Sequence, residues 1–81
     1  MKDVVYKYGE AVTPSDSEDL SKPTPRAIYV GGTGDIKVTL SAMADGEGIT
    51  LKGISEGAIL KIEAKRIWDT GTTATDIVAL Y

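Results

Sequence analysis

The sequence predicts an all-β fold: a small antiparallel β-sandwich or partly open barrel of about five to six strands with an extended N-terminal arm. Three observations carry this expectation. Helical periodicity is nowhere sustained. β-branched residues dominate the later two-thirds of the chain and favour strands. Glycine-bearing turns divide that part at spacings of about 8–12 residues, the rhythm of small sandwiches and barrels. The chain therefore divides into an arm over residues 1–25 and a β domain over residues 26–81.

The arm opens with Val4, Val5, Tyr6 and Tyr8, a short strand or docking segment. Residues 13–25 read TPSDSEDLSKPTP. Pro14, Pro23 and Pro25 donate no backbone hydrogen bond and hold their predecessors extended. Asp16, Glu18 and Asp19 repel one another locally. An irregular, extended arm follows, mobile in an isolated subunit. Ser15 and Glu18 also match a capping box, so one helical turn over residues 15–20 is the alternative.

The first strand of the β domain covers residues 26–30. Residues 31–34, Gly-Gly-Thr-Gly, read as a hairpin turn in which glycine supplies positive φ. In the second strand, residues 35–41, Ile36, Val38 and Leu40 point one way and Lys37, Thr39 and Ser41 the other. A turn over residues 44–48 leads to a third strand, residues 49–52. Residues 53–57 connect to the longest run, residues 58–69. There Leu60, Ile62 and Ala64 face inward, but Ile67 and Trp68 arrive out of phase. A β-bulge near Lys65 and Arg66 would reset the alternation. Residues 70–75 connect to the last strand, residues 76–81. Its two faces, Ile77-Ala79-Tyr81 and Val78-Leu80, are both apolar, which predicts burial on both sides. A β-meander is the simplest wiring.

An 81-residue chain is one domain with a marginal core. It has no Cys, so disulfides and thiolate metal sites are excluded, and no His, the usual zinc ligand and general base. Partner subunits remain as the route to added stability. The net charge is −3 and the lysines are dispersed, which argues against nucleic-acid binding. No apolar run approaches the roughly 18–20 residues of a membrane span, and residues 1–12 lack the apolar core of a secretory signal. The expectation is a protein with no membrane and no nucleic-acid partner.

Candidate chemistry is sparse. The Gly31–Gly34 stretch lacks the length, the Lys-Ser/Thr ending and the helix of a phosphate loop. Asp35, Asp45, Glu47, Glu56, Asp69 and Asp76 sit at turns, where acids are ordinary. The serines have no His to activate them. The reading is therefore no enzyme, with no catalytic, cofactor-binding or metal residues. Trp68 beside Arg66 and Asp69 suits a contact hot spot or a sugar-stacking platform, or else a rim aromatic covering the sheet end. The threonine-rich residues 70–75 suit a loop or a contact between subunits. Candidate interface residues are Trp68, Thr72, Thr73, Val78 and Leu80. Candidate docking-arm residues are Val4, Val5, Tyr6, Tyr8 and Leu20.

Residues 25–40, PRAIYVGGTGDIKVTL, resemble the "R-A-L-Y-V-G-x-x-G-D-V-x-V-T" run of small phage-type proteins. Residues 66–81, RIWDTGTTATDIVALY, resemble their "R-V-W-A-T-G-T-T-A-T-G-I-V-A-L-Y" ending more closely. Residues 57–62 are similar to "A-G-T-L-L-P-I" and residues 13–17 to "T-P-S-D-T". The family is the head-spike base proteins of gene transfer agents and related tailed phages. Residues 1–11 lie outside the resemblance, and Asp69 and Asp76 stand where the pattern has small residues. The resemblance implies a structural virion protein on the capsid surface, made in the bacterial host cytoplasm, without a cofactor. It implies a homo-oligomeric ring, a pentamer ahead of a trimer, with a major capsid protein and a spike or fibre as partners. A receptor- or glycan-binding adhesion module of the particle is the alternative.

Overall fold

A computed structural model describes residues 5–81. Among these, seven strands form: β1 (Gly9–Ala11), β2 (Ala27–Gly32), β3 (Gly34–Leu40), β4 (Ile49–Ile54), β5 (Ala58–Leu60), β6 (Ala64–Ile67) and β7 (Thr75–Leu80). They make two antiparallel sheets, ordered β1-β7-β2-β5 and β4-β3-β6. Ile28 and Val30 of β2 and Ile77 and Ala79 of β7 meet Ile36 and Val38 of β3 and Ala64 and Ile67 of β6 in one buried cluster. The fold is thus a sandwich. Full burial of each of these Ile and Val side chains is worth about 1.5–3 kcal/mol.

The period-two alternation places these residues as expected, but the wiring is not a meander. Only β3 and β4 are consecutive and paired. From β4 onward, every connection crosses between sheets. The run over residues 58–69 is two strands, not one. β5 pairs with β2 in one sheet and β6 with β3 in the other. The crossing occurs at Lys61–Glu63, tightened by Ile62 N–H donating to Leu60 O at 2.9 Å. Leu60, Ile62 and Ala64 still face the core throughout, because both sheets bury their inner faces against the same cluster. The phase reset falls where the alternation breaks. Thr39 pairs with Arg66 and Leu40 with Ala64, leaving Lys65 unmatched as a bulge.

The glycine-rich stretch is not a hairpin turn either. It carries the chain from the first sheet to the second. Its glycines are required by close approach rather than by a left-handed backbone. A Cβ on Gly34 would lie 2.5 Å from Ala74 N, and one on Gly31 would lie 2.8 Å from the Cβ of Asp76. Asp76 itself has φ of 53°, a left-handed conformation at the position where the family pattern has glycine.

Among its described residues the arm contains a strand, and residues 15–20 form no helical turn. β1 pairs with β7, matching Glu10 with Ala79. Half of the expected cap forms without a helix: Ser15 Oγ accepts from Glu18 N at 3.1 Å and Ser17 N at 3.2 Å. Residues 15–20 instead run beside β6, with Ser15 N donating to Ile67 O and Leu20 N to Lys65 O, both at 2.9 Å. These bonds tie the segment to the sheet.

Candidate functional site

The outer face of the β4-β3-β6 sheet carries an aromatic cluster. Lys37 and Thr39 of β3 and Arg66 of β6 point to this face, and Trp68, just past β6, lies across them. The Lys37 ammonium sits 4.5 Å from the ring centre and the Arg66 guanidinium 5.2 Å. The indole Nε1 donates to Thr39 Oγ1 at 2.9 Å. Thr39 Oγ1 in turn donates to Glu47 O. This explains an anomaly in the alternation: Thr39 lies on the outer face yet is only 2% exposed. Gly48 packs closely under the cluster: a Cβ there would come 3.1 Å from the indole nitrogen and 2.7 Å from Lys37 Cε, the end of a flexible side chain that can swing aside.

Beside this cluster the threonine loop is stitched to β3. Thr72 Oγ1 accepts from Lys37 N and Thr73 Oγ1 from Asp35 N, each at 2.9 Å. Asp35 O accepts from Thr73 N at 2.8 Å and Ala74 N at 3.0 Å. Asp16 of the arm holds the start of the loop. Its Oδ1 accepts from Asp69 N at 3.0 Å and Thr70 N at 2.9 Å, and its Oδ2 from the Thr70 hydroxyl at 2.5 Å. These bonds, the Thr70 hydroxyl foremost, hold the Asp16 carboxyl below its usual pKa. Arg66 completes the link, donating to Asp19 Oδ1 at 2.9 Å and to Asp16 O at 3.2 Å.

The sequence reading missed Asp16 and the coupling of the arm to the loop. No local pattern could reveal a contact between residues so distant in the chain. One signal was present: residues 13–17 and 66–81, two of the segments that carry the family resemblance, are the segments that touch.

Of the candidate interface residues, Trp68, Thr72, Val78 and Leu80 are half-buried and Thr73 is exposed. The hydroxyls of Thr72 and Thr73 are engaged within the chain, and β7 is an interior strand between β1 and β2. Its outer face joins an apolar row: Ala11, Val78, Tyr29 and Ile59 lie side by side across four strands. Of the arm residues, Val4 lies outside the described residues. Val5 is 65% exposed and Tyr8 49%. Tyr6 is half-buried, and Leu20 packs on the chain's own core. The Tyr8 ring lies 5.7 Å from that of Tyr81, with the Lys22 ammonium 5.6 and 5.5 Å from the two. Burial raises the Tyr81 phenol's pKa, and a hydrogen bond to Glu10 raises that of Tyr8. Between arm and sandwich lies a cleft of about 200 Å³, bordered by Glu10, Glu18, Asp19, Leu20 and Ile67.

No family model matches the chain, and no curated protein matches it. Among solved structures it is similar to a chain of one described as "Capsid of native GTA particle computed with C5 symmetry". The two are 32% identical, with a TM-score of 0.81, over 95% of this chain and 84% of that one. The chain belongs to this gene transfer agent virion family. Coverage of 95% is more than residues 26–81 alone could supply, so the likeness to that chain extends into residues 1–25. It also reaches into residues 1–11, which the sequence resemblance left out.

Proposed function

We propose that the protein is a homo-oligomeric head-spike base, a structural subunit at a phage-like capsid vertex that anchors a spike or fibre. The observation that carries this reading is the 32% identity to a chain of a gene transfer agent capsid across 95% of this sequence. The fivefold symmetry named for that particle favours a ring of five here. The marginal core of an 81-residue chain and the apolar row on its outer face also support assembly. Its partners are then the major capsid protein below and the spike or fibre above, and its place is the surface of the virion.

Deleting the coding sequence tests this reading. Heads should still form, but their vertices should lose the base and the spike in particle images. Unchanged vertices refute the proposal. The adhesion alternative draws less support, because the Trp68 ring already faces Lys37 and Arg66 and its N–H is already used.

A further inference from the structure

We propose that neighbouring copies join edge to edge, the outer edge of β1 in one copy pairing with the outer edge of β4 in the next. The inference rests on the homo-oligomeric reading above and names the surface that builds the ring.

Four strands end the two sheets: β1, β5, β4 and β6. The β6 edge is closed by the arm through Ser15 N and Leu20 N. β5 is three residues long. β4 has six residues, and β1 continues an extended segment from Lys7, whose N–H donates to Tyr81 O at 2.6 Å. In β1, Tyr8 exchanges both backbone bonds with Tyr81, and Val12 N donates to Ile77 O. Alternation then turns the amide groups of Gly9 and Ala11 outward. In β3, Lys37 O accepts from Trp68 N, so Lys37 faces β6 and its neighbours Ile36 and Val38 bond β4. Their partners are Leu51 and Ile49, which turns Thr50 and Lys52 of β4 outward. Among the described residues, no hydrogen bond reaches the outward amide groups of these four positions.

The two edges lie on opposite sides of the sandwich. β1 and β6 border the same arm-filled cleft. β4 lies across β3 from β6, and three residues connect it to β5. Among the described residues, four large apolar side chains are prominently exposed, and all flank these two sides. Val5 (65%) and Tyr8 (49%) lead into β1, while Ile49 (47%) opens β4 and Ile59 (49%) centres β5. The side bearing β1 is filled by the chain's own arm; the side bearing β4 is left open, with Leu51, Ile54 and Leu60 only half-buried. Each copy thus carries a filled side and an open side, each ending in a strand with one free edge. Two different patches that meet head to tail close a ring where the rotation between copies closes, whereas a self-complementary patch would stop at a dimer. A free edge joined by a strand satisfies its backbone groups and is the usual mode of strand addition.

The absence of cysteine makes the test clean. Ala11→Cys and Thr50→Cys, both at exposed positions, are made singly and together and treated with a short bismaleimide. The double variant should give a ladder of covalent multimers ending in a closed ring. The single variants should stay uncrosslinked, and their mixture should stop at dimers. Self-crosslinking of either single variant overturns the head-to-tail pairing. So does a double variant that remains uncrosslinked while light scattering shows the oligomer intact; the homo-oligomeric reading then survives. A monomer by light scattering overturns both. Thr50→Pro gives a second arm, because it removes an outward N–H and leaves the β3–β4 ladder untouched. It should dissociate the oligomer while Trp68 emission stays native, and an unaltered oligomer counts against the proposal.

Discussion

Replacing Gly34 by alanine should unfold a large part of the protein's stability margin, for a reason unrelated to turn geometry. The new Cβ would stand 2.5 Å from Ala74 N, 2.8 Å from Ala74 Cα and 2.8 Å from Thr73 C. All three are backbone atoms, so no side chain can swing aside. Ordinary contact begins near 3.4 Å, so the loop must retreat by nearly 1 Å. That retreat breaks Thr73 N to Asp35 O at 2.8 Å, Ala74 N to Asp35 O at 3.0 Å and Asp35 N to Thr73 Oγ1 at 2.9 Å. At about 1 kcal/mol each, these bonds contribute about 2–3 kcal/mol. Overpacking adds about 1–3 kcal/mol. The stiffer unfolded chain returns about 0.4–1 kcal/mol. The net loss is about 2–5 kcal/mol, against a total of about 4–12 kcal/mol for a domain of this length. Such a loss lowers Tm by at least about 8 °C. Thermal unfolding followed by Trp68 emission, at one fixed protein concentration, measures it. Gly46→Ala is the control: φ there is 88° and nothing lies within 4 Å, so only backbone strain of about 1–2 kcal/mol applies. A Gly34→Ala drop no larger than that of Gly46→Ala would refute the close-approach argument.

Thr39→Val strips the Trp68 indole and Glu47 O of their shared partner and should cost about 1–3 kcal/mol in urea unfolding, with a shift in tryptophan emission. Ile67→Ala, at a residue 1% exposed, should cost about 2–5 kcal/mol by the same measurement. Asp16 has a lowered folded pKa, so its contribution is complete above the ordinary value of 3.8 and fades as pH falls through the lower folded value. Asp16→Asn should therefore lower Tm at neutral pH and flatten the acid limb of the Tm–pH curve; an unchanged acid limb would exclude this role. Asp76→Gly should leave Tm unchanged or raised, because φ of 53° suits glycine, while Asp76→Val should lose about 1–2 kcal/mol.

The amino-acid sequence by itself determined the all-β class and the inward set of most strands. Ile36 and Val38 of β3, Ile77 and Ala79 of β7 and the phase break at Lys65 were all legible, because period-two alternation reports which way a side chain points. Tertiary structure decided which strand lies beside which. Leu60, Ile62 and Ala64 keep one alternation while the chain passes from one sheet to the other, since both inner faces enclose the same core and the crossing leaves no mark on the pattern. The glycines at 31–34 looked like turn residues, but their necessity comes from residues 74–76 pressing against them. The candidate contact residues were half legible. Trp68 stood out by its type, yet only the fold shows that Lys37, Thr39 and Arg66 hold it. Asp16 bonds residues 53 and 54 positions away, and nothing local distinguishes it from the acids around it. The free edges of β1 and β4 depend on strand order, which is a property of the assembled sheets and not of either segment.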